Sequence, residues 1–430
     1  MKAIKGKFFS RGIHLRDMKS LSSAAPIEQL TGVEEAVIPL SQHIGKPAVC
    51  IVEPGQQVKR GQLIAKADGY VSANVHASIA GTVKAVEDRP DGHGGMHKCV
   101  VIASDGSDAT DFMPPLPENA DGAAIAARIA DAGIVGMGGA GFPTHVKIRP
   151  AVKVDTLILN GAECEPYLTC DHRIMLERTD DIVRGAQYLA KAIGVEKIMI
   201  GIELNKPDAI AAFEKTPLHV VALKKQYPMG SEKHLIYVCT GRKVPVGKLP
   251  ADAGCIVQNV ATALAVCEAV EQGKPLIERV VTVSGKGVET PRNLRAPLGA
   301  SLSALAAQCS VKEDAVKFVL GGPMTGSALT GLSGSVTKTT SGLLFMTADE
   351  TNADEPTPCI NCGKCADVCP MKLMPMQTEF YTNTKDYVKA NTYGGVLSCI
   401  ECGACSYICP AHRPLAQAIK TAKAELRKKK

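Results

Sequence analysis

The sequence has no long hydrophobic run, little excess of one charge, and no recognisable leader. No stretch approaches the roughly 18 consecutive apolar residues of a membrane-spanning helix, so we expect no span. Its 49 basic and 43 acidic residues give a net charge of +6, which does not indicate a dedicated nucleic-acid-binding protein. Residues 1–20 show no secretory signal, which leads us to expect a cytoplasmic protein. If the protein works at a membrane, we expect it to sit on other subunits.

Cysteine, by contrast, is plentiful, and half of the 16 cysteines form two copies of one pattern near the C-terminus. Each copy reads C-x₂-C-x₂-C-x₃-C-P. In bacterial two-cluster proteins, three thiolates of such a loop bind one [4Fe–4S] cluster and the fourth binds the other. We therefore predict one cluster on Cys359, Cys362, Cys365 and Cys409, and a second on Cys399, Cys402, Cys405 and Cys369. Zinc sites and disulfides explain this spacing poorly, so the pattern indicates single-electron transfer.

Three further segments differ in their hydrophobic pattern. Between residues 36 and 103, short β-rich runs alternate with glycine turns and resemble a lipoyl-type barrel-sandwich hybrid, but no lysine stands at the expected hairpin tip near Tyr70. Strands alternate with helices between residues 121 and 271, which predicts a parallel sheet with helices on both faces. Residues 280–347 are β-rich again, and the connection between the two cysteine motifs looks helical.

A glycine-rich loop runs from Gly133 to Thr144. Its glycines allow the backbone to come close to a flat ring or a phosphate, where any Cβ would clash. Its backbone N–H groups could bind an anion. The loop follows a predicted helix rather than a first strand, so it does not match the usual dinucleotide fingerprint. From the residues alone, a ligand-binding loop and a flexible connector both remain open.

Two longer segments resemble known flavoproteins. Residues 136–147 (GMGGAGFPTHVK) and 160–173 (NGAECEPYLTCDHR) are similar to the flavin-binding region of the NADH-oxidising subunit of respiratory complex I. Residues 227–266, which begin YPMGSEKH, are more similar to the C subunit of Rnf complexes, which are membrane-bound, ion-pumping ferredoxin:NAD⁺ oxidoreductases. The tandem cysteine motif also favours the Rnf family, because the complex I subunit has a single-cluster motif.

The resemblance covers nearly the whole chain and implies a multidomain α/β protein. The implied domains are an unmodified barrel-sandwich hybrid (1–113), a Rossmann-like FMN- and NADH-binding domain (119–275), a β-grasp segment of the soluble-ligand-binding type (278–348) and a helical ferredoxin-type two-cluster domain (356–430).

The resemblance also implies which residues bind the cofactors. Those expected to contact FMN are Gly136, Gly138, Gly139, Lys147, Asn160, Glu163, Tyr227, Gly230, Gln258, Asn259 and Thr262. Those expected to contact NAD(H) are Phe142, Glu165 and Glu232. No catalytic side chain is expected, because hydride transfer takes place at the flavin. Met137, Ala162, Ser231 and Gln258 depart from the complex I pattern.

These implications predict an NADH-linked oxidoreductase subunit of an ion-translocating complex. It would pass electrons between two [4Fe–4S] clusters, FMN and NAD(H) at the cytoplasmic face of the inner (cell) membrane. Its expected partners are a cluster-bearing ferredoxin-like subunit and integral-membrane subunits, with no nucleic acid. Two alternatives remain open: a corrin (cobalamin) reductase of a bacterial microcompartment, and an electron-relay scaffold without NADH activity.

Overall fold

The computed structural model describes residues 6–351 and 354–428. Within those two ranges, no helix combines the length and the apolar character needed to cross a membrane. The described residues also form four 3₁₀ turns: Lys19–Leu21, Pro250–Ala253, Ala348–Glu350 and Val396–Ser398.

The N-terminal domain consists of two small sheets packed around a core of valine and isoleucine. A short strand, β1 (Ile27–Gln29), precedes it in the chain. The strands of the domain are β2 (Glu35–Pro39), β3 (Val49–Cys50), β4 (Gln57–Val58), β5 (Leu63–Lys66), β6 (Val75–His76), β7 (Gly81–Pro90) and β8 (Met96–Ser104). One sheet has the order β2-β8-β7-β4 and the other β3-β5-β6. Alternate positions point inward because side chains alternate across a strand, as Ile38, Val100 and Ile102 do.

The second domain has a four-stranded parallel sheet with helices on both faces, in agreement with the alternating pattern. Its strands are β9 (Thr156–Gly161), β10 (Lys197–Glu203), β11 (His219–Leu223) and β12 (Cys255–Asn259), in the order β11-β10-β9-β12. Its helices are α1 (Gly122–Asp131), α2 (Thr144–Lys147), α3 (Cys170–Glu177), α4 (Thr179–Ile193), α5 (Pro207–Phe213), α6 (Glu232–Thr240) and α7 (Val260–Glu271). Since all four strands are parallel, their carboxyl ends meet at one edge, where ligands bind in sheets of this kind.

The third domain is a mixed sheet with one helix. It contains β13 (Glu278–Ser284), β14 (Arg292–Pro297), β15 (Ala315–Leu320), β16 (Ser327–Ala328), β17 (Gly342–Thr347) and α8 (Leu302–Cys309). The strand order is β1-β14-β13-β17-β15-β16. The sequence boundary of 1–113 assigns β1 to the barrel domain, whereas the structure pairs it in parallel with β14.

The C-terminal domain carries the cysteine motifs and, within residues 354–428, has helices and no strand. The helices are α9 (Lys364–Asp367), α10 (Pro375–Asn383), α11 (Tyr387–Gly394), α12 (Ala404–Tyr407) and α13 (Leu415–Lys428). The connection between the motifs is therefore helical, and α10 and α13 pack on each other around Leu415 and Ile419.

Residues 6–29, which we call the N-terminal strap, join three of these domains. Lys7 forms a parallel bridge with Leu223 of the second domain, and Gly12 N–H donates to the Val368 carbonyl of the C-terminal domain at 3.0 Å. The strap then ends in β1, in the third domain. The position of the C-terminal domain therefore depends on residues from the opposite end of the chain.

Candidate functional site

The carboxyl edge of the parallel sheet brings one group of predicted residues together. Asn160, near the end of β9, donates through Nδ2 to the Gly230 carbonyl at 2.9 Å. A Cβ at Gly230 would lie 3.1 Å from Cys164 Sγ, so this turn packs closely on the chain that follows β9. Glu163 has a φ of 44°, and its carboxylate accepts the Asp171 N–H at 2.7 Å. This hydrogen bond holds the carboxylate at the N-terminus of α3.

The glycine-rich loop is closed at its base and open at its tip. Gly136 N–H donates to the Phe142 carbonyl at 2.8 Å, and Phe142 itself is half-buried. Gly138 and Gly139 are exposed at the tip, and a Cβ at Gly139 would have no neighbour within 4 Å. A Cβ at Gly138 would lie 3.1 Å from the Asn259 side chain. The loop therefore lies over the start of α7 and exposes bare backbone beside it.

The N-terminus of α7 suits an anionic or carbonyl-bearing ligand. Thr262 Oγ1 accepts the Met137 N–H at 3.0 Å, which holds the loop on the helix. Asn259 caps the helix, and its Nδ2 donates to the Asp171 carboxylate at 2.7 Å. Gln258 Nε2 is buried and has no partner among the described residues. An orphaned donor beside a positive helix end, below a glycine backbone, fits the phosphate or ring carbonyls of a flavin.

Lys147 and Glu232 meet each other just beyond the end of the loop. Lys147 ends α2, Glu232 begins α6, and the two side chains form an ion pair. Both are partly exposed, so the pair is accessible to a ligand. The sequence resemblance implied that Lys147 contacts FMN and that Glu232 contacts the nucleotide. In the structure the two side chains lie at the same point of the surface.

Glu165 lies at the junction of three domains rather than at the glycine loop. Its Oε2 accepts the Met324 N–H at 3.0 Å and its Oε1 accepts the Thr325 hydroxyl at 2.6 Å. Burial raises the pKa of this carboxyl. Tyr227 stands beside it and donates its hydroxyl to the Cys402 carbonyl at 2.7 Å. Both oxygens of Glu165 therefore accept hydrogen bonds from the third domain. The sequence resemblance had implied that Glu165 contacts nicotinamide.

Three buried charged residues beneath the same edge, Lys19, Glu203 and Lys206, were missed by the sequence analysis. Lys206 is fully buried and donates to the Ala162 carbonyl at 2.7 Å, while Lys19 Nζ lies 3.4 Å from Glu163 Oε2. Glu203, the last residue of β10, is also buried, and burial raises its pKa to about 6. Glu203 could have been found from the sequence, because an acidic residue at the carboxyl end of a parallel strand is a signal of a site. Lys19 lies in the strap, and no sequence signal pointed to it.

The cysteines of the C-terminal domain surround two separate cavities. One is lined by Cys359, Cys362, Cys365 and Cys409. The other is lined by Cys369, Cys399, Cys402 and Cys405. No three His, Cys, Asp or Glu side chains of the described chain converge as closely as a single metal ion requires. The sulfurs thus surround space in two groups of four, as a cubane cluster needs, and each group takes its fourth cysteine from the other motif.

The two cysteine loops have the same backbone conformation. Left-handed φ values recur at equivalent positions, at Gly363 and Gly403 before the short helices and at Lys372 and His412 after the fourth cysteines. Backbone N–H groups also reach two of the sulfurs: Leu373 N–H points at Cys369 Sγ (3.3 Å) and Glu401 N–H at Cys399 Sγ (3.2 Å). Such contacts stabilise charge on cluster sulfur.

One of the two cavities adjoins the flavin-type edge of the sheet. Cys402, which lines it, packs with Tyr227, Ala404 and Ile13 in one apolar cluster. Cys359 and Cys362, which line the other cavity, are exposed. The cavity lined by Cys402 therefore lies at the surface of the second domain, and the cavity lined by Cys359 and Cys362 lies next to solvent.

Three family models match the chain. The model described as the RnfC barrel sandwich hybrid domain matches residues 7–107. The Nuo51 FMN-binding domain matches residues 129–268, and the 4Fe-4S dicluster domain matches residues 358–413. The three matches follow the domains described above and include the glycine loop and both cysteine motifs.

Several curated proteins are similar over nearly the full length. The C subunit of the proton-translocating ferredoxin:NAD(+) oxidoreductase complex of Clostridium ljungdahlii is 45% identical, with 98% of this chain and 94% of that protein covered. The C subunit of the Na(+)-translocating complex of Acetobacterium woodii is 42% identical, with 98% of each covered. Among solved structures, the match to an NAD+-reducing [NiFe]-hydrogenase covers 72% of this chain and 61% of the hydrogenase chain, at 18% identity and a TM-score of 0.49. This likeness is too distant to bear on function.

Proposed function

Because the chain belongs to the RnfC family of ion-translocating ferredoxin:NAD⁺ oxidoreductase complexes, we propose that it carries electrons between NAD(H) and the rest of such a complex. It is an electron-transfer subunit of the oxidoreductase and translocase class, with FMN and two [4Fe–4S] clusters as cofactors. The relatives described above are named as subunits of ion-translocating complexes and give no support to the corrin reductase alternative.

The observation that carries this proposal is the direct junction between the two candidate sites. Tyr227 belongs to the turn beside Asn160 and Gly230, and its hydroxyl donates to Cys402, which lines a four-cysteine cavity. A flavin-type edge and a cluster-type cavity are therefore in contact on one chain. This is the arrangement required to link a two-electron donor to one-electron carriers.

The chain's own residues would bind and orient the flavin, which when bound supplies two-electron acceptance and one-electron release. The bare backbone of Gly138 and Gly139 would lie against it. The start of α7 would bind its phosphate, with Asn259 fixing the turn and Gln258 Nε2 donating the hydrogen bond that it lacks within the described chain. Lys147 would add positive charge near the flavin, held in place by Glu232.

The cysteines would bind the clusters in the exchanged arrangement. Cys359, Cys362, Cys365 and Cys409 would hold the exposed cluster, and Cys369, Cys399, Cys402 and Cys405 the cluster beside Tyr227. We infer that electrons pass between flavin and exposed cluster through the inner one, in a direction set by the donor and acceptor present.

The domains would divide this work. We infer a barrel-sandwich hybrid at 1–113 (β1 excepted), a Rossmann-like flavin domain at 119–275, a β-grasp domain at 278–348 and a helical ferredoxin-type domain at 356–430. The family matches support the first, second and fourth of these, and the mixed sheet with α8 supports the third.

The partners would be the other subunits of the complex. We propose that integral-membrane subunits hold this chain at the cytoplasmic face of the cell membrane, and that a cluster-bearing ferredoxin-like subunit exchanges electrons with the exposed cluster. The exposed Cys359, Cys362 and Ile360 support an electron-exchange surface at that cavity.

The experiment is an anaerobic reconstitution with FMN and iron. The protein should bind one FMN and about eight irons, four per cluster, and NADH should bleach the flavin and reduce an artificial acceptor. Gly139→Leu should abolish FMN binding, because the new side chain would occupy the space above the loop without touching the protein. Gly331→Leu, also without a neighbour within 4 Å, is the matched control. Tight FMN binding without NADH-dependent bleaching would instead identify an electron-relay scaffold.

A further inference from the structure

We propose that Tyr70, at the hairpin tip of the barrel domain, forms one wall of the subsite for the adenine end of NAD(H). This inference rests on the proposed function, and it assigns the barrel domain a role in nucleotide binding. In lipoyl-type barrels the corresponding tip presents a lysine for modification, whereas this tip presents an aromatic ring that is 71% exposed.

The tip is a fixed turn rather than a loose loop. Asp68 N–H donates to Ser72 Oγ at 3.0 Å, and Ser72 Oγ donates to the Lys46 carbonyl at 2.8 Å. Ala67 N–H donates to Asn74 Oδ1 at 2.9 Å. Because these bonds hold the backbone on both sides of Tyr70, the turn that presents the ring is preorganised, which lowers the entropic cost of binding a ligand.

The turn packs directly on the segments that flank the glycine loop. The buried Lys338 Nζ donates to the Asn74 carbonyl at 2.6 Å and to the Gly133 carbonyl at 2.7 Å, joining the barrel to the start of the loop. At the far end of the loop, the His145 ring lies close to the Tyr70 backbone. Gly141 has a φ of 69°, and a Cβ there would lie 3.0 Å from the Gln42 carbonyl of the barrel.

The surroundings of the tip match the chemistry of a dinucleotide. On this side of the loop the exposed Arg149 lies near His145, and its guanidinium supplies a positive charge that suits a diphosphate. Two aromatic rings belong to this region, the half-buried Phe142 in the loop and the exposed Tyr70 at the tip. An exposed aromatic face of this kind stacks on a nucleobase.

The adenine end is the part that this position can reach. The nicotinamide must contact the flavin, which the second domain is proposed to bind against Gly138 and the start of α7. The adenine lies at the opposite end of the dinucleotide, beyond the diphosphate. A side chain from the barrel can therefore contact the adenine without being part of the flavin site.

The test compares NADH with reduced nicotinamide mononucleotide, which lacks the adenine half. Tyr70→Ala should raise the KM for NADH about ten-fold, corresponding to about 1.4 kcal/mol, with kcat and FMN content unchanged. It should leave the KM for the mononucleotide unchanged. Tyr70→Phe keeps the ring and should behave as wild type. Met96→Ala, which removes another exposed apolar side chain from the same domain (60% exposed), is the control.

Three outcomes would overturn the inference: an unchanged KM for NADH in Tyr70→Ala, an equal loss for both substrates, or loss of assembly with membrane subunits at unchanged KM. The last would identify the tip as a protein-docking surface. A wild-type protein that oxidises neither substrate would contradict the proposed function itself, so the two failures are distinguishable.

Discussion

At the scale of single residues, the least expected feature is the set of charges buried beneath the candidate flavin site. Lys19, Glu163, Glu203 and Lys206 are each almost inaccessible to solvent. Buried charges are tolerated when they are paired and hydrogen-bonded, and three of the four make at least one close polar contact. Glu203 is the weakest member, since its nearest cation, Lys206 Nζ, is 3.8 Å away and its Oε1 has no partner among the described residues.

Glu203 should make the second domain less stable as the pH rises through about 6. Burial raises its pKa from 4.5 to about 6, against the opposing effect of Lys206 and Lys19. A carboxyl group whose pKa is raised by folding stabilises the folded state at a pH below its unfolded pKa of 4.5. This stabilisation is lost as the pH rises through its folded pKa of about 6. The loss amounts to about 2 kcal/mol. Glu203→Gln should remove that part of the pH dependence, measured as the thermal midpoint of flavin release between pH 5 and 7.

The exposed Glu196, just before the same strand, provides the control for this measurement. Glu196→Gln should leave the pH profile of the thermal midpoint as in wild type. A Glu203→Gln profile that still falls between pH 5 and 7 as steeply as wild type would show that another group, such as Asp171 with its pKa of about 6, is responsible.

At the scale of elements, the two cysteine loops show how a sequence repeat becomes a structural one. The same left-handed positions recur in both loops, so each presents three sulfurs to its own cavity and sends the fourth to its neighbour. Each cavity is thus built from both motifs. The removal of one fourth cysteine should affect the cluster of the opposite motif.

Cys369→Ser should disable the inner cluster and Cys409→Ser the exposed one. Each variant should fall from about eight irons to about four. In Cys409→Ser, NADH should still reduce the remaining cluster, which adjoins Tyr227. In Cys369→Ser, the remaining cluster should respond to a chemical reductant but hardly to NADH. Electron paramagnetic resonance after each reductant measures this. Cys50→Ser, in the barrel, should retain both clusters. Loss of the exposed cluster in Cys369→Ser and of the inner cluster in Cys409→Ser would contradict the exchange of the fourth cysteines between the motifs.

The elements that the sequence predicted are those whose signals are local. The cysteine spacing indicated the cluster loops, and the alternation of strands and helices indicated the parallel sheet. The strand Ile27–Gln29 could not be predicted, because it is three residues long and its partner, Asn293 with its neighbours, lies far along the chain. The position of Glu165 was not predictable either, since it depends on how closely the loop at Gly322 approaches: a Cβ there would lie 2.3 Å from Glu165 Oε2.

At the scale of the whole molecule, the N-terminal strap fixes the distance between the two candidate sites. Ile13 bridges to Tyr227 in the second domain, and Arg11 donates to the Ala366 carbonyl of the C-terminal domain at 2.7 Å. Gly12, between them, donates its N–H to Val368. Residues 11–13 of the strap therefore contact Tyr227 and the C-terminal domain without lining either site.

Gly12→Ala should slow electron transfer between the sites without altering either one. Gly12 has a φ of 81°, and a Cβ there would lie 2.6 Å from the Tyr227 carbonyl, so an alanine forces the strap away from Tyr227. NADH should reduce the flavin at the wild-type rate in stopped-flow measurements, while cluster reduction should slow. Gly32→Ala bears the same left-handed strain, about 1–2 kcal/mol, but has no neighbour within 4 Å and should leave both rates unchanged. Equal slowing in both variants would mean that backbone strain, rather than the docking of the C-terminal domain, controls the transfer.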